Sequence, residues 1–447
     1  MANLSPNEQL VLELINRARM DPNAEADRLG LSDLNEGVPV GSTISGSGKQ
    51  VLAANDQLGS AAARHSQWML DTDTFSHYEG SPTDTYYDPT KRIEKAGYTG
   101  WSTNGENIAY VASTAELDTT DSAVANHDNL FIDANYSGRG HRTNLMKADF
   151  KEIGLGLEEG VMRLQTSGGP RDFNVSMLTE DFATKQGSNS FITGVVYSDT
   201  TTKDDFFTVG EQTANRKVSG SGASDKTGAG GGYELEYATT GNKTITFDLA
   251  GADLKVKVKL GDTNVKIDAV NGREIWTNAS SLASESTSIK ELHALGIGKV
   301  NLTGSSANEK IYGNGAANSL TGKGGDDKIS GGKGADTIVG GYGEDTLTGG
   351  KGDDKFVFNA GKDSRGSHHD LIKDFDAAGN DRIDLRSLGN LTYKDEAAID
   401  GADQVNVTRS GDDVLVHVNL DADLDDELLI RLDNCTLSSM GSDDFIL

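Results

Sequence analysis

The sequence predicts a multidomain chain of α+β and β class: an α+β domain, then a β-sandwich, then a stacked parallel β-structure. Three observations carry this. Residues 5–185 combine helical apolar periods with strand-like alternation. Residues 190–300 show only short alternating strands between glycine-bearing turns. Residues 304–357 repeat with a strict period of nine. The 447 residues leave room for three or so domains at about 150 residues each.

The first helix is signalled by Ser5 as N-cap, Pro6 at the first helical position and Glu8 completing S-x-x-E. Leu10, Val11, Leu14, Ile15 and Ala18 form its apolar stripe, and Pro22 limits it. A second helix is expected from about Asp56 to Leu70, with Leu58, Ala61, Ala62, His65 and Met69 on one face. A third covers about Asp121 to Asp133. Ile153 to Leu157, Arg163-Leu164 and Asn174 to Leu178 read as strands, which closes an α+β domain near residue 185.

Five alternating strands follow: Ile192 to Tyr197, Tyr233 to Tyr237, Thr244 to Leu249, Leu254 to Leu260 and Val265 to Ala269. They predict a small β-sandwich. Asp199, Asp204, Asp205 and Glu211 crowd one loop there and could form a calcium site, although a solvated acidic loop explains them as well.

The nine-residue units are GSSANEKIY, GNGAANSLT, GKGGDDKIS, GGKGADTIV, GGYGEDTLT and GGKGDDKFV. The fourth matches G-G-x-G-x-D-x-U-x throughout, a calcium-binding parallel β repeat. Position eight is apolar in all six: Ile311, Leu320, Ile329, Ile338, Leu347 and Phe356. One inward side chain per short strand builds a stack. Position six reads Glu309, Asn318, Asp327, Asp336, Asp345 and Asp354. Carboxylates and glycine-loop carbonyls are hard oxygen donors that suit calcium rather than zinc. The loop glycines expected around the ions are Gly322, Gly324, Gly325, Gly331, Gly332, Gly334, Gly340, Gly341, Gly343, Gly349, Gly350 and Gly352. A flexible Gly/Asp linker would not keep an apolar residue at every ninth position.

Lys and Arg total 41 against 69 Asp and Glu, a net charge of -28. That balance argues against nucleic acid as a partner. It also implies self-repulsion that bound calcium relieves, so metal affinity becomes folding energy. Cys435 is the single cysteine, so no intrachain disulfide is expected. No run of 18 apolar residues occurs, so no transmembrane helix is expected. The stretch MANLSPNEQL lacks the basic patch and apolar core of a signal peptide.

The repeats resemble the RTX β-roll. In that family two strands make one turn, so the resemblance pairs Asp327 with Asp345 and Asp336 with Asp354. The pairs Glu309–Asp327 and Asn318–Asp336 use weaker ligands. His369 to Phe375 and Asn380 to Leu385 resemble the segment that closes the roll in serralysin-like exported proteins, which implies capping and calcium roles for Asp370 and Asp374. The strands Val414 to Asn419 and Leu428 to Leu432 would finish that cap. The ending Asp443-Asp444-Phe445-Ile446-Leu447 resembles the uncleaved signal of type I (ABC-transporter) secretion. The implication is a partner export machine, passage unfolded and calcium-driven folding outside the cell.

Four N-terminal segments carry a second resemblance: Ala61 to Met69, Phe75-Ser76-His77, Gly105-Glu106-Asn107-Ile108-Ala109, and Gly140 to Met146 followed by Glu152 to Gly156. In this order they look like the CAP superfamily (cysteine-rich secretory, antigen 5 and pathogenesis-related proteins) in its bacterial SCP-like form, whose fold is an α-β-α sandwich. The family has a cleft of two histidines and two glutamates that can hold a divalent metal. Its matching positions here are His77, Glu106 and His141. These imply a site for zinc or another divalent ion, or an acid–base set without metal. The second glutamate has no clear match; His127 or Asp128 could serve. His65 lies on an apolar helix face and is expected to be buried or hydrogen-bonded rather than a ligand. Arg142 is expected in a salt bridge, Trp68 and Trp101 in core or cleft wall, and His368 and His369 at the surface.

The expected domains are a CAP/SCP-like domain over 1–187, a β-sandwich spacer over 188–288, a calcium-binding roll over 289–358, and a cap with the secretion signal over 359–447. No GxSxG, HExxH or P-loop occurs, which excludes a serralysin-type protease. The expectation is a secreted calcium-binding protein. Its head would bind an extracellular ligand such as a lipid, cell-surface or matrix component. A metal-dependent hydrolase using the same cleft, and a structural surface or biofilm protein, are the alternatives.

Overall fold

Ser5 opens the first helix as its capping sequence requires. In the computed structural model, which describes residues 3–134, 136–366, 368–395, 399–421, 423 and 425–447, helix α1 spans Pro6–Met20. The Ser5 hydroxyl accepts the Glu8 N–H, and the Glu8 carboxylate accepts the Ser5 N–H at 2.8 Å. Pro22 starts α2 (Pro22–Arg28) rather than merely ending α1. Then come β1 (Ala53–Ala54), α3 (Asp56–Asp71), α4 (Pro89–Lys95), β2 (Trp101–Ser113), α5 (Thr119–Ile132), α6 (Gly140–Leu145), β3 (Glu152–Thr166) and β4 (Gly169–Lys185).

The four strands form a sheet of order β1-β3-β4-β2, which leaves β2 at an edge. Alternation along β4 sends Leu178 and Phe182 to one face, where they pack with Val11, Ile15, Ala123, Leu130 and Leu145 from α1, α5 and α6. Met177 and Ala183 face the other side and meet α3 through Met69 and Leu58. Helices thus cover both faces, the expected α-β-α sandwich. The run Ile153-Gly154-Leu155-Gly156-Leu157 fits this geometry residue by residue. Its leucines and isoleucine feed the α1 side, while its glycines let the α3 backbone lie directly on β3. A Cβ at Gly154 would overlap Leu58 and Gly59, and one at Gly156 would overlap Ala62 and Ala63.

The chain divides into two compact units: Met1–Gly241 with Phe247–Leu249 and Leu260–Gly272, and Asn242–Thr246 with Ala250–Lys259 and Arg273–Leu447. The strands expected in a spacer over 188–288 are shared between them. In the first unit β5 (Ser190–Tyr197) pairs antiparallel with Gly232–Tyr237 and parallel with Val265–Val270. This layer is built onto α1: buried Lys266 lies 2.7 Å from Glu13 and also pairs with Asp268. In the second unit Val256, Lys257 and Val258 pair antiparallel with Ser284, Ala283 and Leu282.

The second unit is a parallel stack of two columns. One runs Ile275, Leu292, Ile311, Ile329, Leu347, Ile372 and Leu432 in register. The other runs Leu282, Leu302, Leu320, Ile338, Phe356, Ile383 and Phe445. All fourteen side chains are buried. The ladder starts before residue 289 and runs past residue 358. A rung needs only one inward apolar residue on a short strand, and Ile275, Leu282, Leu432 and Phe445 supply that without a glycine–aspartate loop.

Replacing Gly154 with alanine tests the α3–β3 contact. The added methyl has no space between two backbones, so unfolding of the variant is expected at a stability lower by about 3 kcal/mol or more. A denaturant melt that matches the parent would contradict this packing.

Candidate functional site

Position six of the repeats builds two rows of carboxylates. In one row Oδ1 of Asp327, Asp345 and Asp370 accepts the backbone N–H of Glu309 (2.8 Å), Asp327 (2.8 Å) and Asp345 (3.0 Å). In the other, Oδ1 of Asp336, Asp354 and Asp381 accepts the N–H of Asn318 (2.7 Å), Asp336 (2.8 Å) and Asp354 (2.9 Å). Each carboxylate therefore reaches back one full turn of the stack and staples two rungs.

The second oxygen is different. Oδ2 of Asp327, Asp336, Asp345, Asp354 and Asp370 is buried with no hydrogen-bond partner. Such an atom is costly unless something positive meets it. The glycines packed against it leave no room for a side chain. A Cβ at Gly322 would overlap Asp327 Oδ2 and crowd the carbonyl of Gly340, and one at Gly331 would do the same with Asp336 Oδ2 and Gly349. Gly343, at φ 137, turns in a region closed to other residues. Lys323, at φ 82, takes the place that Gly332, Gly341 and Gly350 hold in the following units.

Burial raises the pKa of these groups, and neighbouring carboxylates add to it against the one N–H bond each accepts. Asp336, Asp345 and Asp354 are pushed up to about 6, Asp327 to about 8 and Asp370 to about 9. Carboxylate and carbonyl oxygens in a flexible loop make a donor set that fits calcium. Glu309 and Asn318 lack the open oxygen. Ser305 satisfies the Glu309 carboxylate, and the Asn314 N–H reaches Asn318 Oδ1 at 2.9 Å. Asp374 spends both oxygens on the N–H groups of Gly349 and Gly350, each at 2.9 Å, so it clamps the last loop. Asp381 closes its row, with Oδ2 accepting the Asp376 N–H at 2.9 Å. It was legible in one respect: Asp381-Arg382-Ile383 repeats the D-x-apolar cadence of positions six to eight. In the acidic loop near residue 200, Glu211 accepts the N–H groups of Thr200, Thr201 and Thr208, while Asp199 Oδ1 is buried without a hydrogen-bond partner.

In the head, the edge strand β2 supplies the carboxylate that holds His77. His77 Nδ1 lies 2.7 Å from Glu106 Oε1, while Arg92 bonds Glu106 Oε2. Arg92 also donates to the carbonyls of His77 (3.1 Å) and Tyr86 (3.3 Å), which fixes the loop that carries His77. Burial works against the Glu106 charge, but His77 and Arg92 outweigh it and hold its carboxyl below the usual range. Asp181 faces Glu106 across the β2–β4 pair. Burial first, then that neighbour, raises its carboxyl well above normal. His65 is buried, with Nδ1 2.8 Å from Glu79 and its ring stacked on Trp68.

His141 does not join this group. It lies on the other side of β2, where the Asn107 side chain donates to its carbonyl at 3.2 Å and Asp133 Oδ1 sits 2.8 Å from its Nδ1. Glu106 and Asn107 are successive and point to opposite faces. Among the described residues, three clusters of His, Asp and Glu bring their ligand atoms within 4.8 Å, and His77, Glu106 and His141 are not one of them. Glu106, with both oxygens engaged, does not fit the part of an open metal ligand. The imidazoles keep Nε2, and their side chains are 32% and 16% exposed.

His127 and Asp128 turn away from this edge. His127 Nε2 lies 3.1 Å from Glu25, and Asp128 pairs with Arg28. Arg142 makes carbonyl bonds instead of a salt bridge, to Phe131 (2.6 Å), Ile132, Leu34 (2.8 Å) and Glu36 (3.1 Å). Arg19 does likewise at the far end of α6, donating to Leu145 at 2.6 Å. These buried guanidinium groups set where α6 lies, and so where His141 lies. His368 is exposed, as expected.

Residues 12–161 match the profile of the cysteine-rich secretory protein (CAP) family, and residues 254–446 match that of the peptidase M10 serralysin C-terminal domain. The chain thus joins a CAP domain to an RTX-type roll of the serralysin C-terminal kind, and calcium binding and secretion follow from these two families. Among solved structures, the AlgE6R3 subunit of the Azotobacter vinelandii mannuronan C5-epimerase is 28% identical over 32% of this chain and 80% of that one, with a TM-score of 0.27. The AlgE6R2 subunit of the same enzyme is 24% identical over 34% and 90%, also at 0.27. An extracellular SCP-domain protein from Bacillus anthracis str. Ames is 22% identical over 41% and 45%, at 0.22. No curated protein matches the chain. Among the described residues no helix is long and apolar enough to cross a membrane.

The carboxylate rows predict an unusual pH response. Their pKa values are raised in the folded state. Their contribution to folded stability is therefore complete below the ordinary carboxylate range, about pH 4, and is lost as pH climbs through about 6 to about 9. In chelator the roll should melt at a higher temperature at pH 5 than at pH 8. With millimolar calcium the order should reverse, because protons then compete with the ion. Calorimetric scans at both pH values check this.

Proposed function

We propose that the C-terminal unit folds by closing its buried carboxylates around calcium after export through a type I pathway. We propose also that the CAP head offers His77 and His141 to an extracellular ligand. The five Asp residues with an unpartnered Oδ2, namely Asp327, Asp336, Asp345, Asp354 and Asp370, are the proposed ion holders, with carbonyls of the facing glycine loops beside them. Those orphaned oxygens are the observation that carries the reading. Bound calcium supplies the positive charge they lack. Until then the acids repel one another and the rungs stay apart, which suits passage through a transporter as an extended chain.

The head reading draws on what surrounds the two imidazoles. Phe75 and Tyr78 flank His77 in sequence and are 43% and 55% exposed, and Tyr136, 50% exposed, lies against His141 with ring centroids 4.6 Å apart. Exposed aromatic side chains beside polar groups are the usual material of a recognition surface. Calcium titration calorimetry on the full chain and on Asp345→Ala tests the ion-holding role. The variant should take up fewer ions, and the calcium concentration that restores β circular dichroism should rise about tenfold or more. Identical isotherms would sink the proposal.

A further inference from the structure

The head's second imidazole has a carboxylate of its own, at a place where the sequence showed no motif for one. Asp133 ends α5 in the left-handed conformation, φ 51 and ψ 35, which turns its side chain toward the start of α6. That side chain is nearly all buried. Its Oδ1 lies 2.8 Å from His141 Nδ1, and its Oδ2 accepts the N–H of His141 at 2.9 Å and of Arg142 at 3.4 Å. Three carbonyl bonds from Arg139, to residues 133, 134 and 136, and the carbonyl bonds of Arg142 hold the corner between the helices.

The arrangement matches the one at His77, where Glu106 takes Nδ1 and not Nε2. A carboxylate has no proton to give, so it selects the tautomer with hydrogen on Nδ1 and leaves the Nε2 lone pair for a ligand. We propose that Asp133 is the positioning residue of His141: it fixes the Nδ1–H tautomer and presents Nε2 at the edge of the head. The proposal rests on the reading of His141 as part of the head's recognition site.

Asp133 also caps the first turn of α6, and Asp133→Asn separates the two roles. The asparagine oxygen still accepts the N–H of His141 and Arg142, so the turn keeps its cap. Its amide N–H now faces Nδ1 and draws the ring proton to Nε2. Long-range ¹H–¹⁵N correlation spectra of the full chain with ¹⁵N-histidine, at pH 8, read the tautomer directly; His141→Ala assigns the signal. The expected result is Nδ1–H in the parent and Nε2–H in Asp133→Asn, at an unchanged melting temperature. An Nδ1–H signal in the variant, or Nε2–H already in the parent, would overturn the proposal. Asp133→Ser, which keeps a cap acceptor but withdraws from the ring, serves if the asparagine variant does not fold; it should show both tautomers, and retention of Nδ1–H alone would count against the idea. Failure of the site reading looks different. With zinc(II) as probe, parent and His141→Ala would bind alike while the tautomer result stood.

Discussion

One constraint organises the C-terminal unit: a carboxylate that is buried, paired through one oxygen and left open at the other. Asp336 shows it. Oδ1 staples the rung below by taking the Asn318 N–H, while Oδ2 faces the space that Gly331 leaves empty. Protein donors do not complete the group, and a cation or a proton is what would do so. The apolar columns set the direction of stacking, but each rung buries little more than one large side chain. Hydrophobic burial alone gives such a stack small returns per residue ordered, which is why the charge balance of the loops decides whether it forms.

The head obeys a different logic. The carboxylates that hold its two partly exposed imidazoles are paired within the protein, Glu106 with His77 and Arg92 on one side of β2 and Asp133 with His141 on the other. Buried arginines bonded to carbonyls hold the loops and the short helix that carry these side chains. What is left over is the Nε2 of each ring, on side chains 32% and 16% exposed. Each ring is held by its carboxylate, with exposed aromatic side chains near it.

Much of this was legible in the sequence where a local rule governs. The Ser5–Glu8 box, the nine-residue period and the alternation of Leu254 to Leu260 each depend on near neighbours, and each appears where expected. The strand Trp101–Ser113 carries no such local signal. Its Gly105-Glu106-Asn107 stretch is polar because a β-edge facing ion pairs can bury carboxylates that alternation rules treat as exposed. The extent of the stack was missed for the opposite reason. Ile275 and Phe445 join as rungs through register alone, with no loop signature to mark them. Site residues divide in the same way. His77 and Glu106 were named and do meet, whereas Asp133 reaches His141 only through a left-handed turn that no local pattern announces.

Amide hydrogen exchange of the full chain, with calcium and with chelator, is the most direct measurement of the central claim. The N–H groups of Glu309, Asn318, Asp327, Asp336, Asp345 and Asp354 are the donors stapled by the carboxylate rows. At neutral pH they should be strongly protected in calcium and exchange at close to unfolded rates in chelator. Equal protection under both conditions would mean that the stack stands without an ion, and would contradict the account.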